Sequence, residues 1–106
     1  MLDLLLTVLM AINIALGGTV GNIDIDNRAV VINPDGGFST ELSFSTEIDG
    51  YEVLLSQVIN GKIVSEQEAI DHYLVTEEHL GKFSSWQLAE QYAKLLHCRQ
   101  EQRYGQ

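Results

Sequence analysis

Residues 42–59 read LSFSTEIDGYEVLLSQVI, and the two runs on either side of Asp49-Gly50 decide the fold. Leu42, Phe44 and Ile48 alternate with Glu41, Ser43, Ser45 and Glu47, the period-two pattern of a half-buried strand. Asp-Gly favours a two-residue hairpin, because both central residues of that turn take positive φ. Tyr51 to Ile59 is then the returning strand, with Val53, Leu55 and Ile59 on one face. Asn60-Gly61 repeats the turn signal, which predicts Lys62-Ile63-Val64 as a third strand and residues 38–64 as an antiparallel meander.

The flanks extend this reading. Upstream, Ile23 and Ile25 alternate with Asp24 and Asp26, and Ala29-Val30-Val31-Ile32 follows, so one or two short strands are expected before Asn33. Asn33-Pro34-Asp35-Gly36-Gly37 is a turn, with proline fixing φ at one corner and glycine accepting positive φ after it. Downstream, Ser65 and Glu68 match a capping box, in which serine and glutamate satisfy each other's free amides. Ala69, Ile70, Tyr73 and Leu74 form the stripe of a helix ending near Val75, and His79 to Phe83 is an extended connector. Ser84 and Gln87 suggest a second capping box, opening a helix with Trp86, Ala89, Tyr92, Ala93 and Leu96 inward. Glu90 and Lys94 form an i,i+4 pair, Arg99 and Arg103 suit the helix C-terminus, and Gly105 ends the pattern. The expected class is α+β: a small antiparallel β-meander with two helices packed on one of its faces, preceded by an apolar N-terminal helix.

That N-terminal helix raises the functional question. In Met1–Leu16 only Asp3, Thr7 and Asn13 interrupt apolar residues. Leu2, Leu5, Leu6, Leu9, Ile12 and Leu16 recur at three- and four-residue steps, the spacing of one helical face. A helix apolar nearly all round is buried on most sides. The first reading is burial against other copies or a partner protein, with those six residues as the interface. The alternative is a membrane-active helix, although the run, about 24 Å as a helix, is short of the about 20 apolar residues that span a bilayer. No positive charge precedes it, as an export signal would want, and packing on its own domain is a further possibility. The expected organisation is an arm (1–16), a Gly-rich hinge (17–21), an α+β domain (22–98) and a polar tail (99–106).

The 106 residues carry fifteen acidic and six basic groups, a net charge of −9. A general nucleic-acid binder needs a basic footprint, so that class is not expected. Arg28 is the sole basic residue before Lys62, and the acidity suits solubility first. Cys98 is the single cysteine, so no intrachain disulfide is possible and synthesis in a reducing cytoplasm is the default. No P-loop, dinucleotide fingerprint or nucleophile elbow is present. His72 and His79, with Asp71 and Glu78 nearby, make a weak metal pattern, read as surface or core-edge histidines. Asp24, Asp26 and Asn27 lack the glycine and distal glutamate of a calcium loop. No cofactor, metal or catalytic residue is therefore assigned.

The order of several short motifs resembles a small domain of tailed-bacteriophage proteins. It runs from Gly21-Asn22-Ile23-Asp24 and Asn27-Arg28 through Asn33-Pro34-Asp35-Gly36, Ile48-Asp49-Gly50 and Glu52-Val53-Leu54. It continues through Asn60-Gly61-Lys62-Ile63-Val64-Ser65, Glu68-Ala69-Ile70-Asp71-His72-Tyr73 and His79-Leu80-Gly81-Lys82-Phe83 to Ala89, Tyr92-Ala93 and Leu96-His97. Where that family has a Val-Arg-Ser type of run and an Ile-Pro-Thr run, this chain has Glu41-Leu42-Ser43 and Leu55-Ser56-Gln57. The domain occurs as small phage proteins and inside large virion proteins, some ejected with DNA and some carrying peptidoglycan-cleaving domains elsewhere. The resemblance implies a non-enzymatic virion protein made in the host cytoplasm, and the apolar arm implies assembly in several copies. Its expected partners are itself or a portal, tail or capsid protein, with a membrane as the alternative and no specific nucleic acid. The rival expectation is a membrane-docked phage factor, ejected with DNA or acting in superinfection exclusion.

Overall fold

The computed structural model describes residues 1–104. Gly105, expected to end the last helix, lies outside the described residues. The fold is α+β, with an N-terminal helix, antiparallel sheets, and two further helices packed against the sheet and the first helix.

The hairpin at its centre forms as the alternation predicts. Strand β4 (Ser43–Ile48) pairs with β5 (Tyr51–Ser56), from Ser43 opposite Ser56 to Ile48 opposite Tyr51. Asp49 and Gly50 both have positive φ, 54° and 85°, which matches the turn to the twist of the strands. The third place in the sheet is not taken by the next strand in sequence. It goes to β8 (Gly81–Phe83), which the sequence suggested as a connector, and β1 (Thr19–Val20) lies outside it, giving the order β1-β8-β5-β4. The chain leaves the sheet at Gln57, whose amide donates to Leu42 O at 2.7 Å while its carbonyl accepts from Val64 N at 2.8 Å. Strands β6 (Val58–Ile59) and β7 (Lys62–Ile63) therefore form a separate hairpin rather than the end of one meander. A third pair, β2 (Val31–Ile32) with β3 (Phe38–Ser39), closes over the turn at Pro34. The stretch before it holds a 3-10 turn, Ile25–Asn27, not a strand.

The helices lie on opposite faces of the sheet, where one face was expected. The cause is β5, whose Val53-Leu54-Leu55 run is apolar on both sides. Val53 and Leu55 pack with Phe44, Ile48 and with Ile70 and Tyr73 of α2 (Glu66–Thr76). Leu54 points the other way, toward Leu80 and Phe83 and toward Ala89 and Leu96 of α3 (Trp86–Arg103). Full burial of each such side chain contributes roughly 1.5–3 kcal/mol, so the two-faced strand stabilises the packing on both sides of the sheet. At the start of α2 the Ser65–Glu68 capping box is complete in both directions. The cap of α3 is Ser85 rather than Ser84, its hydroxyl accepting from Leu88 N. That phase turns Trp86 outward, 57 % exposed, and Leu74 of α2 is likewise outside.

Buried polar groups tie the loops to this frame. Arg28 meets Glu41 through two contacts of 3.2 Å, and its Nη2 also donates to Val58 O. Glu41 is nearly sealed from solvent, and burial pushes its carboxyl up, against the pull of Ser56, Arg28 and Thr40. Gln100, buried on α3, accepts from the amide and hydroxyl of Thr40 at 2.5 and 3.1 Å.

Candidate functional site

The expected interface lies on α1 (Leu2–Ala15), and the structure divides that helix into two faces. Asp3 occupies the first turn, where a negative charge complements the helix dipole, and it meets Arg99 of α3 at 2.5 Å. At the other end Gly18 N donates to Asn13 O at 2.9 Å and Gly17 N to Ile14 O at 3.0 Å. This is a Schellman cap, with Gly17 supplying the required positive φ of 98°. Gly18 has no room for a side chain, since a Cβ there would sit 2.3 Å from the Asn13 amide. The glycine pair thus ends the helix, and Thr19 and Val20 pair at once with Lys82 and Gly81.

The inner face packs α1 on its own domain. Leu6 and Met10 enter the core with Leu54, Leu80, Phe83, Ala89 and Leu96. Asn13 is fully buried, donating to Lys82 O at 2.9 Å and accepting from Ser84 N at 3.3 Å. It satisfies backbone groups on either side of Phe83, in β8 and just after it, and so fixes the helix to the sheet. Spacing alone missed Met10 and Asn13. The available signal was Asn13 itself, a polar residue in an apolar helix that needs a buried partner if it faces inward.

The six interface residues named from spacing do not share one environment. Leu6 is core, Leu2 and Leu9 are half-buried, and Leu5, Ile12 and Leu16 face solvent. The outward set is completed by Leu4, Val8 and Ile14, and these six exposed side chains are each between 44 % and 66 % accessible. Met1, Leu4, Val8, Ala11 and Ala15, all exposed, recur in alternating steps of three and four, the spacing of a helix–helix seam. The only charged residue on α1 is Asp3, already paired with Arg99. The outer face is therefore apolar over most of the helix, interrupted by Thr7, whose hydroxyl donates to Asp3 O at 2.9 Å, on a chain of net charge −9. Contiguous apolar patches on soluble proteins mark interaction surfaces. Among the described residues, no helix is long and apolar enough to cross a membrane.

The other sequence candidates fall elsewhere. His72 Nε2 lies 2.9 Å from Glu78 on the surface beyond α2. His79 is buried, edge-on to Tyr73 with ring centroids 6.2 Å apart, and its Nδ1 has no partner. Burial pushes its pKa down and the nearby Lys82 adds to that, so the ring is held neutral. The two histidines are thus divided between surface and core. Asp24 accepts from Asn27 at 2.6 Å, whereas Asp26 meets Arg103 at 2.6 Å, so this acidic stretch serves local turns and α3. Cys98 is exposed. Protein families, curated proteins and solved structures, compared with this chain, give no match to it.

Proposed function

We propose that this chain is a non-enzymatic structural protein of a tailed-phage particle, present in several copies and held by the outer face of α1. Its contact is another copy of itself or a portal, tail or capsid protein. The observation that carries the reading is the uncharged apolar face of α1, left open although the opposite face is fully used inside the fold. The motif order over residues 21–98, which resembles a domain of phage virion proteins, supports the location. The mechanism is docking by apolar burial. Each large side chain removed from water contributes roughly 1.5–3 kcal/mol before ordering costs, so four or five are enough to retain a subunit in an assembly.

Quantitative mass spectrometry of purified particles, before and after triggered DNA ejection, tests this proposal. A stoichiometric signal in both samples is the expected result. Absence from both contradicts the virion reading, and loss on ejection identifies a delivered protein instead. Liposome flotation of the intact chain separates the membrane alternative, which requires binding that Leu5→Asp with Ile12→Asp abolishes.

A further inference from the structure

Three ligand-bearing side chains converge where the 33–37 turn meets α3, away from α1's outer face. His97 and Glu101 stand one helical turn apart on α3, and Asp35 reaches them from the turn. One ligand atom from each lies within 4.8 Å of the other two. His97 Nε2 is 3.5 Å from Glu101 Oε1 and 3.9 Å from Asp35 Oδ2. Those gaps exceed an ordinary N–H···O bond of about 2.7–3.2 Å. They approach the roughly 3.3 Å between ligand atoms around a tetrahedral ion with bonds of about 2.0–2.1 Å.

The surroundings hold the three groups in place. Asp35 Oδ1 accepts from Gly37 N at 2.9 Å, which leaves Oδ2 facing the imidazole. The turn is closed by Gly36 N donating to Asn33 O at 2.9 Å and Asn33 N donating to Gly37 O at 2.7 Å. Its far end is bound to α3 through Thr40 and the buried Gln100, which lies between His97 and Glu101 in sequence. The donors come from two elements whose relative position the fold already fixes, and all three are open to solvent for entry.

We propose that Asp35, His97 and Glu101 bind a divalent transition metal of the zinc type, clamping the 33–37 turn to α3. One imidazole and two carboxylates suit such an ion, and three protein ligands leave a position for water. The strongly acidic chain raises the local concentration of cations.

The test is calorimetric titration of the whole chain with zinc chloride at neutral pH, paired with thermal unfolding. The expected result is one equivalent bound and a raised Tm, since an ion that binds only the folded state stabilises it. His97→Ala and Asp35→Asn should each weaken binding at least about tenfold, with the far-UV circular dichroism unchanged. His72→Ala and Cys98→Ser should bind as the parent does. The site is refuted by absence of uptake, by uptake that His97→Ala leaves intact, or by uptake that either control removes.

Discussion

Helices α1 and α3 pack against each other, yet they meet solvent in opposite ways. Away from its core residues α3 is polar except for Trp86 in its first turn, with Glu90 and Lys94 paired at 3.3 Å and Gln87, Gln91 and Gln102 also on the helix. The outer side of α1 is instead Leu4, Leu5, Val8, Ile12 and Ile14. A helix that serves only its own fold has the first pattern. Intramolecular packing therefore accounts for one face of α1 and leaves most of the other open to solvent.

Breaking the inner face should have the largest effect on stability. Leu6→Ala removes a core side chain that touches both α3 and the sheet, and should cost about 3 kcal/mol in urea unfolding. Asn13→Ala leaves the Lys82 carbonyl and Ser84 amide without their buried partner, and should cost about 2 kcal/mol by the same measurement. The polar surface of α3 sets the low end of the scale. Lys94→Ala should cost only about 0.3–0.5 kcal/mol, as an exposed i,i+4 pair does. A loss above 1 kcal/mol there would contradict the contrast between the two helices.

The sheet face away from α1 gives a pH comparison. His79 has its folded pKa pushed below 6.5 by burial, so the unfolded chain takes up a proton first. The stability it preserves is present above pH 6.5 and is lost as pH falls from 6.5 toward the lowered folded value. Denaturation curves at stepped pH should show that loss for the parent chain, and His79→Gln should flatten it. Substitutions on α1 should leave this slope unchanged.

Much of the fold was legible because its signals are local. The hairpin at Asp49-Gly50, the Ser65–Glu68 box and the Glu90–Lys94 pair each depend on residues a few positions apart. The sheet order was not legible, because β8 reaches β5 across about thirty residues and Gly81-Lys82-Phe83 has no alternating pattern long enough to read. The helices on opposite faces follow from Leu54, apolar where strict alternation would place a polar residue. On α1 the apolar run was plain, but which face turns inward was not. Leucines at three- and four-residue steps can be drawn on several sides of a helix this apolar, and only the partners of Asn13 and Met10 choose among them.

If the outer face of α1 is an assembly surface, as proposed, Leu5→Asp with Ile12→Asp should remove the chain from its assembly. Both side chains are outside the core, so the isolated variant should stay folded, at a cost of about 1–2 kcal/mol from the lower helix propensity of Asp and the helix dipole at Ile12. The measurement is the amount of this variant, relative to the parent chain, found by quantitative mass spectrometry in particles assembled with each. The expected result is a folded variant that is lost from particles. A folded variant incorporated at the parental level would contradict it.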